Sequence, residues 1–482
     1  MNFVEIFDDR ERLKEIFNMT CRCAKPGADK ITYTEFYKDF DKHCVQIKDR
    51  IVRQKYRFTR FELFLKPKRH YQRPRLIFKT TIRDKFVAKL MCEYLVEKYG
   101  REGYVPYKTI DSVLDSLSIH LKEKDLDGTF SYNYFIRLDI SSYFDSVNRE
   151  LLERELRQDG VDEDFLFLVR KLCYTMDKSL DKPDGRGVPQ GVSVSSILAE
   201  RYLRGLDEEY GKRDGIIFLR YVDDILVLVR DEAGYSRIKN KLVFSLQSQY
   251  GLSLNTDKID GGKIDDHTFE FLGVRVEQRA LAISSGQMQR IRNKLTDLFK
   301  WYKRNLKSNS YPFKDMSKER RLNTLIERLN LLTTGYMYDK KGKTSKYGWI
   351  LTSLPKHLDD ISALKRLDGF VSYLIDCYIR DDEASADFLK ANKKSFYYTY
   401  LKSNFIGNED GYILDREAVA GDEQRMYEIT CGLSMVDIKR GLDFKHYDAQ
   451  QFKDKVAEEL FPYFCKTLYI ANRDLTEDIL YW

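Results

Sequence analysis

Asp223 and Asp224 stand side by side in FLRYVDDILVLV, Phe218 to Val229, a stretch otherwise apolar and β-branched apart from Tyr221 and Arg220. Burying unpaired charge is costly. The pair therefore either sits at the tip of a hairpin or meets something strongly positive. A second apolar stretch, FIRLDI, carries Asp139 near its end. If both stretches are strands, their acids converge and repel. Divalent cations relieve such repulsion, and a donor set made only of oxygen favours Mg²⁺, which also carries substrate phosphates. Two such ions about 3.5 to 4 Å apart can activate an attacking hydroxyl and stabilise a leaving pyrophosphate. Ordinary hairpin-turn residues facing water are the other reading of the same acids.

The elements that must position these residues follow from periodicity. IIFLRYVDDILVLV reads as strand, turn, strand, and YNYFIRLDISSYF as a strand that breaks into a turn or helix start. GVPQGVSVSSILAERYLRGLDEEY reads as a Gly/Pro loop leading into a helix. FELFLKPKRHYQRPRLIF suggests two short strands around a basic turn, followed by the helix TIRDKFVAKLMCEYLVEKYG. GYSRIKNKLVFSLQSQYGLSLN reads as a helix and then a strand, and TFEFLGVRV as one further strand. Residues 1–55 read as helical, and after Ser284 the chain reads mostly helical.

Composition bounds the rest. The 482 residues suffice for two or three domains, and 43% hydrophobic with 13% aromatic content supports a real core. No apolar run approaches a membrane span, and MNFVEIFDDRERLKEIF has no signal-peptide core, so no membrane partner and a cytoplasmic location are expected. The eight cysteines are scattered, which suits reduced thiols. Cys21, Cys23, His43 and Cys44 lie close in sequence but fit no common zinc spacing. Net charge is only +7, yet it is unevenly placed. Nine Lys/Arg face one acid between Arg53 and Arg75, and eleven face three acids between Arg290 and Arg321. From Phe405 on, sixteen acids outnumber nine basic residues. Two basic blocks flanking acidic motifs suit a polyanion channel, or else two solvated helix faces.

From about Phe61 to Val276 the chain resembles a reverse transcriptase, with the motifs in family order. YVDD resembles the family's Y-x-D-D turn, RLDISSYFDSV its first acidic motif, and GVPQG the P-Q-G loop between them. QRPRLIFKTTIRDKF and REGYVPYKT resemble two fingers segments, and GLSLNTDK and FEFLGV the last palm motifs. The resemblance implies an α+β fold: a right-hand palm and fingers, built as an antiparallel sheet with helices, then a mostly α-helical C-terminal domain. Its segments would be 1–55 (N-terminal helices), 56–130 (fingers), 131–284 (palm) and 285–482 (thumb-like and C-terminal).

The resemblance also implies roles. Asp139, Ile140, Asp223 and Asp224 would form the site for two Mg²⁺ ions, with Asp224 the weaker ligand. Lys66 and Arg73 would hold the triphosphate, with Arg75 and Lys68 as the alternative register. Phe144 would be the steric gate against a 2′-hydroxyl, Gln190 and Gly191 would line the nucleotide pocket, and Lys258 would serve the leaving pyrophosphate. Tyr221 would lie near the primer end, and Arg292, Lys300 and Lys303 would meet template–primer phosphates, with Phe299, Trp301 and Tyr302 available for stacking. The implied partners are an RNA template, a DNA product and deoxynucleoside triphosphates, and a homo-oligomer is a candidate assembly.

Departures narrow the subgroup. VSVSSILAERYL lacks the prolines that many relatives carry after P-Q-G, and the retron and intron-maturase elements are missing from the sequence. What remains resembles abortive-infection and other phage-defence enzymes, whose template would be a dedicated non-coding RNA, or whose synthesis would be template-poor. A tyrosine such as Tyr412, Tyr427, Tyr447 or Tyr481 would then be a candidate protein primer. An RNA-templated RNA polymerase is the alternative enzyme, but Phe144 occupies the position where its second Asp is expected. A non-catalytic nucleic-acid-binding protein on the same fold is the other alternative, and the three intact acids weigh against it.

Overall fold

The computed structural model describes residues 2–21, 24–66, 74–101, 109–181, 184–256, 259–306, 317–340 and 343–406. They group into two compact units, one within residues 2–101 and 123–264, the other within 109–122 and 265–406. The fold is α+β, as expected.

The first unit opens with helices α1 (Arg10–Cys21), α2 (Tyr33–Lys38) and α3 (Phe40–Val52). Thr32 and Glu35 cap α2 reciprocally, satisfying two donors that a helix start leaves open. Strands β1 (Glu62–Lys66) and β2 (Arg75–Lys79) pair antiparallel with Lys66 opposite Arg75. Helix α4 (Ile82–Arg101) follows, with Phe86, Val87, Leu90, Met91 and Tyr94 buried at helical spacing. Helix α5 (Ile110–Lys122) belongs to the second unit.

The chain then builds β3 (Tyr134–Asp139), α6 (Tyr143–Ser146), α7 (Arg149–Gln158), α8 (Glu163–Leu180), α9 (Ser193–Tyr202), α10 (Arg204–Gly211), β4 (Ile216–Tyr221), β5 (Asp224–Val229), α11 (Glu232–Phe244) and β6 (Asp260–Lys263). The sheet order is β4-β5-β3-β6, all neighbours antiparallel. β5 lies between two strands and Ile225 to Val229 are all buried, which is why this stretch is continuously apolar rather than alternating. β6, with sequence DGGK, was not anticipated. A Cβ at Gly261 would lie 2.7 Å from the Phe135 carbonyl, so close strand approach requires glycine there.

The strand expected at GLSLN is reduced to a single bridge between Ile140 and Leu254, entered through Gly251 at φ +62°.

In the second unit, FEFLGVRV is two strands rather than one: β7 (Phe269–Phe271) and β8 (Val274–Glu277) turn at Leu272 and Gly273, both with positive φ. β9 (Ala280–Ile283) completes a three-stranded sheet. Helices α12 (Ser285–Leu306) and α13 (Lys318–Thr334), the hairpin β10 (Tyr336–Lys340) and β11 (Lys343–Tyr347), and helices α14 (Trp349–Ser353), α15 (Ser362–Tyr378), α16 (Glu383–Asn392) and α17 (Phe396–Leu401) follow. Leu295, Leu298, Leu325, Leu329, Leu364 and Leu367 form part of its separate core.

Candidate active site

Strand register brings the acids together. Asp139, the last residue of β3, faces Asp224, the first residue of β5. Tyr221 pairs with Asp224 across the β4–β5 hairpin, so Val222 and Asp223 form a two-residue turn. Val222 has φ +57°, and Asp223 is not among the residues with positive φ. That pattern, positive φ at the first central position only, belongs to the type II′ hairpin turn and ordinarily favours glycine. The backbone N–H of Ile140 donates to the Asp223 carbonyl at 3.3 Å, fastening the turn to the end of β3. Asp139 is 8% exposed, and Asp223 and Asp224 are half-buried.

Asn255 was not singled out in the sequence, yet it sits beside Asp139. Its backbone N–H donates to the Asp139 carbonyl at 2.9 Å, and its side-chain amide donates to the carboxylate at 3.3 Å. The cation nearest to the acid pair in sequence is not its counter-ion: buried Arg220 is ion-paired with Glu200 and Asp207 instead.

The second part of the site is the GVPQG loop. Gly187 N–H donates to the Val147 carbonyl and Val188 N–H to the Phe144 carbonyl, both at 2.8 Å. This lays the loop along the short helix that carries Phe144, which is half-buried. Tyr143, its neighbour, is buried and donates through its hydroxyl to the Ala199 carbonyl. Burial pushes that hydroxyl well above its usual pKa, so it stays a donor. Arg149 clamps the loop from behind: its Nε donates to the Gly187 carbonyl at 2.8 Å, and its two Nη atoms form a fork onto Asp177 at 2.7 Å each.

The far end of the loop meets β2. Phe78 N–H donates to the Gln190 carbonyl at 2.8 Å. Gly191 is at φ +96°, where a Cβ would lie 2.6 Å from Ile77 Cγ2 and 3.3 Å from the Phe78 carbonyl. Both features call for glycine. Gln190 and Gly191 thus lie against the strand that carries Arg75, which is exposed. Lys66 stands opposite Arg75 in the ladder. Arg73, Lys68 and Lys258 lie outside the described residues.

Among the proposed nucleic-acid contacts, Tyr221 is half-buried and packs on the core at the foot of the acidic turn. In the second unit, Arg292 lies over the Phe370 ring at 5.2 Å and Lys303 over Tyr378 at 5.8 Å. Lys300 is exposed, 4.0 Å from Asp297. The stacking expectation is corrected here. Phe299 and Tyr302 are 0% and 3% exposed and belong to the core, and Trp301 is half-buried beneath Arg328 at 3.9 Å. The i, i+3 spacing of Phe299 and Tyr302 placed those two on the apolar face of α12 rather than on its basic face.

Cys23 and the tyrosines beyond Phe405 also lie outside the described residues. Cys44 is buried, and its thiol is pushed up to about 12, away from the thiolate a metal would need. Among the described residues no group of three His, Cys, Asp or Glu side chains is gathered closely enough to enclose a metal alone.

Residues 66–276 match the profile of the family described as reverse transcriptase (RNA-dependent DNA polymerase). Protein YkfC of Escherichia coli K12 is 25% identical over 209 residues, covering 36% of this chain and 54% of YkfC. An uncharacterised 91 kDa protein encoded in the cob intron of Schizosaccharomyces pombe is 31% identical over 134 residues, 26% of this chain and 16% of that protein. Protein P of duck hepatitis B virus is 27% identical over 119 residues, 24% of this chain and 15% of that protein. The matched region therefore spans about half of YkfC and a smaller part of the other two. Apo telomerase of Candida tropicalis, truncated from its C-terminal domain, is a solved structure with a TM-score of 0.38 at 15% identity, covering 47% of this chain and 55% of that one.

Proposed function

We propose that the protein is an RNA-directed DNA polymerase that extends a hydroxyl primer with deoxynucleotides. The observation that carries this reading is the pairing of Asp139 with Asp224 at the ends of β3 and β5, with Asp223 in the adjoining turn, within the segment that matches the reverse transcriptase profile.

The donor set is oxygen only. Carboxylates suit Mg²⁺, which binds through one or two of them plus substrate phosphates and keeps its waters. Asp139, Asp223 and Asp224 would hold two such ions, beside the Ile140 backbone. Once bound, the ions supply activation of the attacking hydroxyl and stabilisation of the leaving pyrophosphate. The chain's own residues do the rest. Asn255 orients the Asp139 carboxylate. Gln190 and Gly191 form a wall against which the nucleotide packs, and Phe144 fills the space a 2′-hydroxyl would need. Lys66 with Arg73, or Arg75 with Lys68, neutralise the triphosphate, and Lys258 donates a proton to pyrophosphate. Lys300, Lys303 and Arg292 on α12 meet phosphates of the RNA template or DNA product.

The phage-defence setting is part of the same proposal. It is supported by the motif departures that are present, such as VSVSSILAERYL after the P-Q-G loop, and by the residues that follow the palm motifs. A dedicated non-coding RNA is the proposed template, with a tyrosine of the acidic C-terminal stretch as the alternative to a nucleic-acid primer, in a cytoplasmic protein able to self-associate. No described helix is long and apolar enough to cross a membrane. Sequencing the nucleic acid that co-purifies with the protein tests the reading. One recurrent RNA with complementary DNA supports it, and RNA with no DNA even after incubation with deoxynucleotides opposes it. DNA that migrates free of protein after denaturation, without protease, excludes the tyrosine linkage.

A further inference from the structure

We propose that Arg220 is a positioning residue that fixes the acidic turn by tying the Val222 carbonyl to the carboxylates of Glu200 and Asp207. The inference rests on the polymerase reading above, since its consequence is the placement of Asp223.

Arg220 is the charged interruption in the apolar strand β4, and it is 1% exposed. Its guanidinium is fully engaged. Nε donates to Asp207 Oδ1 at 2.7 Å, and Nη2 donates to the other Asp207 oxygen. Nη1 and Nη2 donate to the two Glu200 carboxylate oxygens at 3.0 and 2.9 Å. One N–H of Nη1 is left over, and it donates to the Val222 carbonyl at 2.9 Å. Two carboxylate forks fix the plane of the group, so the remaining N–H has a single direction. Burial acts against the charge, but Glu200 and Asp207 outweigh it and hold the group protonated far above ordinary pH.

What that N–H holds needs holding. Val222 is β-branched and sits at φ +57° in a turn position that ordinarily belongs to glycine. Such conformations persist only when the surroundings over-determine them. The Val222 carbonyl belongs to the peptide that leads directly into Asp223, so fixing it fixes the direction from which the Asp223 side chain leaves the turn. The same turn of α9 serves the other wall of the site. Ala199 accepts from Tyr143, next to Phe144, while the following residue, Glu200, holds Arg220. Lysine cannot replace this arrangement, because an ammonium is a point charge without a fork.

The test uses the full-length protein and two variants. Arg220→Met combined with Glu200→Leu and Asp207→Leu removes the charges together, so that none is left buried alone, and a triad replaced in this way can keep its fold. Arg220→Lys keeps the charge and loses the geometry. Three quantities are read: the melting temperature, Mn²⁺ binding by paramagnetic resonance with a non-hydrolysable deoxynucleoside triphosphate, and kcat with KM for incorporation. A folded triple variant should need about ten-fold more Mn²⁺ for half-saturation. Its kcat should fall about 100-fold. Arg220→Lys should move both quantities in the same direction, and it decides the matter if the triple variant does not fold. A folded variant with parental Mn²⁺ affinity and parental kcat overturns the tether. A parent protein that incorporates no deoxynucleotide overturns the polymerase reading instead, and the Mn²⁺ titration then still decides the tether.

Discussion

Asn255 holds Asp139 by two hydrogen bonds at once, backbone N–H to carbonyl at 2.9 Å and side-chain amide to carboxylate at 3.3 Å. The first fixes the end of β3 and the second aims the carboxylate. Groups that orient a metal-binding side chain are typically worth about 10- to 100-fold in metal affinity or activity. Asn255→Leu should therefore lower incorporation by about ten-fold or more and raise the Mg²⁺ needed for half-maximal rate, with little change in melting temperature. Steady-state kinetics over a Mg²⁺ series measures this.

The Arg149–Asp177 fork is mostly buried, with side chains 16% and 15% exposed. Removing one member of such a pair leaves the other charge uncompensated, which costs about 3 kcal/mol or more. Arg149→Met should show that loss in urea denaturation. It should also raise KM for deoxynucleotide, because Gly187 loses its clamp. Asp177→Asn, which leaves the Arg149 charge uncompensated and sets an amide N–H against its donors, should cost a similar amount.

Gly191→Ala forces a side chain into a left-handed backbone conformation against Ile77. The conformational penalty is about 1–2 kcal/mol. Ile77 Cγ2 hangs directly on its Cβ and the Phe78 carbonyl lies behind it, so the loop rather than the strand should shift, off β2. A several-fold rise in nucleotide KM with a melting temperature a few degrees lower is the expected result.

Phe144→Ala opens space beside the loop. The parent should strongly prefer deoxynucleotides, and the variant should incorporate ribonucleotides at a rate closer to deoxynucleotides. Competing the two substrates on one template measures the ratio. An unchanged ratio would make Phe144 only a packing residue for Val188 and the α6 turn.

Legibility in the sequence tracked the strength of the local physical signal. The β4–β5 hairpin and the end of β3 were readable because their residues are apolar, β-branched and interrupted only by acids. For the acid pair, both readings hold in part. The acids do sit at a hairpin turn, and a buried cation does lie beneath it, yet Arg220 is neutralised by residues 20 and 13 positions earlier in the chain. No short-range pattern announces such pairing. β6 was hidden because DGGK has no hydrophobic signature, and its glycines serve close approach to β3 rather than a turn. Asn255 was inside a quoted motif, but an amide carries no signal until its partner is known. On α12 the aromatic residues were assigned by composition, whereas their spacing put Phe299 and Tyr302 in the core.

The most direct test of the account is incorporation of labelled deoxynucleotide on an RNA template–primer by the purified protein, with Mg²⁺, beside the Asp139→Ala, Asp223→Ala double variant. The account predicts Mg²⁺-dependent extension by the parent. It predicts none by the double variant, which should remain folded by its melting temperature and bind RNA as the parent does. Extension that persists in the folded double variant would contradict the assignment of these acids.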